Sequence, residues 1–155
     1  MTTTTPTSGV TFASAAAMLA GHLTDHALPE PVSLNVTTSY GDSTVTAQLP
    51  GTTLAGLAGD LLTWAGTLSV EAIEAWRPPE RDWVYISIRC TLTGPAGAVE
   101  LTVYGCVDNN PNWFAGLQPD PHQGRPLSLG DLHAWAAHPD PTADSPFPPA
   151  PRGDR

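Results

Sequence analysis

The sequence predicts a two-layer α+β domain: a mainly antiparallel sheet of about five strands, in the order α-ββ-α-βββ-α, with helices packed on one face. Two observations predict it. Pro50 to Leu68 repeats its apolar residues at helical spacing. Val32 to Leu49 and Asp82 to Val107 instead alternate apolar and polar residues on either side of a turn.

The elements follow in order. Met1 to Gly9 is polar and without period, so residues 1–10 read as a mobile tail and residues 11–138 as the single domain. Thr11 can cap a helix that carries Phe12, Ala15, Ala16, Leu19, Leu23 and His26 on one stripe and stops before Pro29. Leu28-Pro29-Glu30-Pro31 then forces extended backbone. Val32, Leu34, Val36 and Thr38 alternate with Ser33, Asn35 and Thr37, and Val45, Ala47 and Leu49 with Thr44, Thr46 and Gln48. A hairpin turn centred on Gly41-Asp42 sets Thr38 opposite Val45, Val36 opposite Ala47 and Leu34 opposite Leu49, which puts both apolar rows on one face.

The central helix packs on that face with Leu54, Leu57, Ala58, Leu61, Leu62, Ala65 and Leu68, while Gly56, Gly59, Asp60, Thr63 and Thr67 lie opposite. Thr52 or Thr53 can cap its start, and Gly66 stands where a left-handed residue would end it. Each buried leucine contributes about 2 kcal/mol, so this face rivals the net stability of a small domain. Ser69 to Arg77 fits a short capped helix through Val70, Ile73 and Arg77, but reads rather as a strand because it runs through Pro78-Pro79-Glu80 into another. In the long hairpin that follows, Val84, Ile86, Ile88, Cys90 and Leu92 point one way with Val99, Leu101, Val103 and Val107. Gly94-Pro95-Ala96-Gly97 makes its turn. Asp108 to Arg125 is a loop pinned by Trp113-Phe114 and Leu117. Ser128 and Asp131 form a capping box for a last helix with Leu129, Leu132, Trp135 and Ala136 on one stripe, and residues 139–155 are a proline-rich tail.

Composition narrows the function. A formal charge of −9, no lysine and six scattered arginines argue against binding a phosphate backbone or an anionic membrane, since both draw affinity from clustered cations. The acidic residues are also dispersed, too thinly to mimic DNA. No apolar run reaches bilayer length, and Phe12 to Ala20 lacks the basic flank of a signal peptide, so a cytoplasmic location is expected. The missing lysine and the abundant Ala, Gly, Pro and Thr point to a high-GC genome.

No motif carries an assignable chemistry. His22-Leu23-Thr24-Asp25-His26 resembles an H-x-x-E-H metallopeptidase pattern with the shorter Asp in place of Glu and no third ligand in view, so no metal site is assigned. Asp108, Asn110 and Asn112 match the opening of a calcium loop, but Trp113 replaces the required glycine and no glutamate closes it. Gly56-Leu57-Ala58-Gly59 lies inside a helix without basic flanks, and Arg152-Gly153-Asp154 is a chance adhesion tripeptide. Cys90 and Cys106 fall on opposite faces, several rungs apart, and are expected as free thiols. No paired carboxylates supply general acid-base catalysis, and no cofactor is implied. One surface remains. The polar face of the long hairpin carries Trp83, Tyr85, Arg89, Tyr104 and Cys106, and aromatics with an arginine are the residue types of interface hot spots.

Leu28-Pro29-Glu30-Pro31-Val32-Ser33, Leu61-Leu62-Thr63-Trp64-Ala65 and Ala75-Trp76-Arg77-Pro78-Pro79 together resemble small actinobacterial proteins of unassigned function that stand near phage or plasmid genes. The resemblance spans Val10 to Ala137 and implies an accessory role in a host or mobile element, with no functional residue to carry over. The expected function is a non-enzymatic interaction module that binds a protein partner or a second copy through the aromatic face. The alternative is a small-molecule or enzyme site between the sheet and the 108–125 loop. Neither reading involves nucleic acid or membrane.

Overall fold

The computed structural model describes residues 9–39, 42–51, 53–110, 114 and 123–138. Of the two expected tails, 1–10 and 139–155, residues 1–8 and 139–155 lie outside the described residues, as do Trp113, Leu117 and the Arg152-Gly153-Asp154 tripeptide, whereas Val10 is buried and its carbonyl accepts the Ser43 hydroxyl at 2.6 Å. The chain runs α1 (Phe12–His26), β1 (Ser33–Ser39), β2 (Asp42–Gln48), α2 (Leu54–Ala65), β3 (Ser69–Trp76), β4 (Trp83–Gly94), β5 (Gly97–Asp108), β6 (Arg125–Pro126) and α3 (Leu129–Ala137). It is an α+β structure.

The sheet differs from the expectation in two ways. Among the described residues it has six strands in the order β1-β2-β5-β4-β3-β6, because Arg125 and Pro126 add a short antiparallel strand beside Ala75 and Glu74. It is also mixed: β2 lies parallel to β5, with Ala47 beside Val103, and Leu49 N–H donates to Tyr104 O at 2.7 Å. The other pairs are antiparallel.

Local chemistry sets the elements. The Thr11 hydroxyl accepts the Ser14 N–H at 3.2 Å to start α1, which ends on Ala27 in a left-handed conformation at φ 48°. Thr53 caps α2 by accepting from Gly56 N–H at 3.0 Å. Gly66, expected to be left-handed, is helical at φ −68°, and its N–H closes the last turn on Leu62 O at 2.9 Å. Ser128 and Asp131 complete the capping box of α3. Pro95 and Ala96 alone bridge β4 and β5, whose last paired residues are Gly94 and Gly97; Gly97 holds φ +126°, which L side chains rarely adopt. In the first hairpin the last pair is Ser39 with Asp42, so Val36 faces Val45 and Leu34 faces Ala47. The expected register is therefore off by two residues. A slip of two preserves which face each side chain takes, so the parity argument survives it.

One face of the sheet is the core. Val45 and Ala47 of β2, Leu101, Val103 and Val107 of β5, Val84, Ile86, Ile88, Cys90 and Leu92 of β4, and Ile73 and Ala75 of β3 are buried there. Ala15 and Leu19 of α1 cover it together with Leu54, Leu57, Ala58, Leu61 and Trp64 of α2. Leu57 sits directly on Gly105 of β5, where a Cβ would lie 2.3 Å from its Cδ1. α3 packs chiefly on α2 through Leu132 and Trp135. Three apolar positions depart from the helical stripes read from sequence. Phe12 and Leu129, at the first turns of α1 and α3, are 59% and 44% exposed. Trp64, left unassigned, is fully buried and its ring N–H donates to Pro29 O at 3.3 Å.

Candidate functional site

Because successive strand residues face opposite ways, burying Ile73, Val84, Ile86 and Val103 places Trp76, Trp83, Tyr85 and Tyr104 on the face away from the helices. Trp76 stands beside Tyr85 on the neighbouring strand, their ring centroids 5.4 Å apart, and Tyr85 is 6.0 Å from Tyr104. These spacings are those of favourable offset and tilted aromatic pairs. The Tyr104 hydroxyl donates to Gln48 Oε1 at 3.2 Å, fixing the end of the row on β2. Trp83 lies two residues before Tyr85, with the Arg81 guanidinium 5.1 Å from its ring centroid. Cys106 is directly opposite Tyr85 and half-buried. Trp76 is 43% exposed.

Arg89 is on the same face but apart from this group. It pairs with Thr102, four residues along β4 from Tyr85, or about 13 Å at the rise of an extended strand. There it borders a hollow of about 100 Å³ lined with Ala72, Glu74, Ser87 and Thr102. Glu71 lies at the same end and accepts the Thr91 hydroxyl. The five residues singled out in sequence thus form an aromatic group, Trp83, Tyr85, Tyr104 and Cys106, and a separate charged end at Arg89.

Among the described residues no helix covers this face. Phe114, expected to pin the 108–125 loop, is fully buried in the other layer, edge-on to Trp135 with centroids 5.7 Å apart. No known protein family, curated protein or solved structure matches this chain. Function is therefore argued from the site itself.

The remaining sequence candidates resolve individually. Thr67 donates its hydroxyl proton to Trp64 O at 3.0 Å, so at the 2.9 Å contact with His22 the imidazole Nε2–H is the donor. Burial, reinforced by His26 and opposed by Asp25, lowers the His22 pKa below its ordinary 6.5 and favours that neutral form. His22 is half-buried and His26 exposed, the reverse of what the apolar stripe implied, because the His22 ring is drawn to Thr67 and Trp64. Among the described residues no three His, Cys, Asp or Glu side chains could hold a metal ion. Asp108 is the last residue of β5, opposite Trp83, and Asn112 is outside the described residues. Both cysteines are free, and burial, with Glu71 nearby, pushes the Cys90 thiol up to about 11. A cleft of about 480 Å³ lies between α1 and the β4–β5 turn, bordered by Met18, His22, Asp25, Leu92 and Pro95.

Sequence reasoning missed Trp76, Gln48 and Arg81. The signal for Trp76 was present: with Ile73 and Ala75 directed inward, alternation turns Trp76 outward beside Tyr85. Among the described residues no helix is long and apolar enough to cross a membrane.

Proposed function

We propose that this chain is a non-enzymatic interaction module whose aromatic sheet face seats a protein partner. The observation that carries the reading is the contiguous row Trp76–Tyr85–Tyr104 on a face that no helix among the described residues covers. Large aromatic side chains supply contact area at little entropic cost and anchor interfaces. The charged end of the face holds Glu71, Glu74 and Glu100 against Arg89. With a chain charge of −9, the complementary partner is a surface with an apolar anchor and a basic rim, drawn in by the overall field.

The test is native mass spectrometry of the full chain purified gently from its source. A defined polypeptide travels with the wild-type chain and is lost from a Trp76→Ala/Tyr85→Ala variant whose far-UV spectrum is unchanged. A partner retained by that folded variant would refute the reading.

A second reading, a ligand site where the sheet leads into residues 108–125, is favoured by one observation. Arg77 Nε, Trp83 Nε1 and Asn109 Oδ1 are buried there, each without a hydrogen-bond partner among the described residues. Asn109 N–H donates to Asp82 O at 2.9 Å, so these groups stand on the adjoining ends of β3, β4 and β5. Two donors and one acceptor left dry favour a small polar ligand. Its expected signature is a rise in melting temperature with one member of a metabolite and metal panel, lost in Arg77→Ala; no rise across the panel would sink it.

A further inference from the structure

We propose that β1 is a self-pairing edge, through which two copies of this chain join antiparallel about Val36 into one continuous sheet with six strands from each copy. The two edges of the sheet are built differently. On the β3 side the edge is interrupted by a bulge between Val70 and Ala72 and capped by β6, which brings a charge, Arg125, and a proline, Pro126. These are devices that stop a strand edge from recruiting another strand. Within Ser33–Ser39 β1 has none of them; Pro31 and the inward Val32 N–H, which bonds Gln48 O at 2.8 Å, end the free edge just before it. Ser33–Ser39 is paired without a bulge along its whole length to β2 and contains no proline and no charged residue.

The backbone groups on that edge that have no partner among the described residues can be assigned. Leu49 N–H reaches Tyr104 O on β5, so by alternation Asp42, Thr44, Thr46 and Gln48 direct their N–H and C=O groups to β1. Their opposites Ser39, Thr37, Asn35 and Ser33 are thereby satisfied, and the backbone groups of Leu34, Val36 and Thr38 face outward. Antiparallel pairing centred on Val36 sets Val36 against its own copy and Leu34 against the copy's Thr38, so all three residues exchange backbone hydrogen bonds. The strand is complementary to itself.

Charge and exposure favour a second copy as the occupant. From Pro31 to Gly41 no residue is charged, in a chain of net charge −9, so a copy paired along β1 sets no like charges opposite one another. The aromatic face, with its three glutamates, suits an unlike partner better. Val32 and Leu34, 64% and 49% exposed, stand on this edge, and Leu34 would be covered beside the copy's Thr38. The twofold axis perpendicular to the sheet keeps both helical layers on one side and joins the two aromatic faces into one surface, which makes the assembly bivalent toward a partner.

Sedimentation velocity of the full chain tests this, with far-UV dichroism as the check on folding. The wild type is expected to sediment as a dimer at about 100 μM, a concentration that detects even a weak pair. Leu34→Lys puts a charge on the edge, and Leu34→Pro removes an N–H that the isolated chain leaves unused; both are expected to sediment as folded monomers, with dissociation constants raised at least about tenfold. If the proline variant fails to fold, the lysine variant decides. Tyr85→Ala is expected to remain dimeric. A monomeric wild type overturns the proposal, as does a dimer unchanged in Leu34→Lys or one lost in Tyr85→Ala. A β1 dimer that binds no partner would instead refute only the aromatic-face reading.

Discussion

Replacing Gly105 with alanine tests how α2 is seated on the sheet. Gly105 lies on the core face of β5 opposite Ile86, under Leu57, whose side chain is 1% exposed. A Cβ at that position would stand 2.3 Å from Leu57 Cδ1 and 3.1 Å from Cδ2. Ordinary carbon contacts are about 3.5–4.0 Å, so the side chain or the helix must retreat by more than about 1 Å. Such overpacking costs about 1–3 kcal/mol, while the loss of unfolded-state freedom on replacing glycine returns about 0.4–1 kcal/mol, leaving Gly105→Ala destabilised by about 1 kcal/mol. Leu57→Ala alone should cost about 2–5 kcal/mol through the cavity it leaves. In the double variant the new methyl enters that cavity, so the two costs should fall short of their sum by about 1 kcal/mol or more. Urea unfolding followed by tryptophan fluorescence measures all three, as shifts of midpoint at constant slope. Additivity within about 0.5 kcal/mol, or a stabilised Gly105→Ala, would refute the seating of Leu57 on Gly105.

Four other outcomes follow from the same packing. Leu61, fully buried in α2, should not tolerate a carboxylate: Leu61→Asp is expected to lose the native far-UV spectrum, and a native spectrum would contradict its burial. A thiol reagent at neutral pH should label no more than Cys106 in the folded chain and add Cys90 only on unfolding, since Cys90 is buried with its pKa raised to about 11; rapid labelling of both would refute this. His22 binds a proton less readily folded than unfolded, so its contribution to stability is complete above 6.5 and is lost as pH falls from there through the lowered folded value. His22→Gln should flatten that part of the curve of urea midpoint against pH. Ser128→Ala should cost about 1 kcal/mol by opening the capping box of α3. Because the Ser128 N–H and hydroxyl hold Asp131 below its ordinary 3.8, the cap's contribution is present above 3.8 and is lost as pH falls through the lowered folded value; unfolding of the variant at acid and neutral pH measures both effects.

What the sequence shows of this molecule depends on how far apart the interacting residues are. Caps act across three residues, so Thr11, Thr53 and the Ser128–Asp131 box are readable directly. Alternation is equally local, and it places Trp83, Tyr85, Tyr104 and Cys106 on one face whatever the register. The β4–β5 register is also local, because Gly94-Pro95-Ala96-Gly97 determines the turn. By contrast, Gly41-Asp42 mis-centred the first hairpin: the end pair Ser39 and Asp42 is polar on both sides, and no apolar residue penalises a shift of two. The parallel contact of β2 with β5 has no turn to announce it. Its partners, such as Thr44 and Glu100, are joined only through α2 and two further strands. The same non-local pairing decides what the surface can do. Inserting β5 between β2 and β4 lets Gln48 bond Tyr104 and end the aromatic row, and it moves β1 to the outside of the sheet. The residues of both proposed contacts are visible in the sequence, whereas their placement, an aromatic face in the middle and a neutral strand at the outside, follows from one strand pairing that is not.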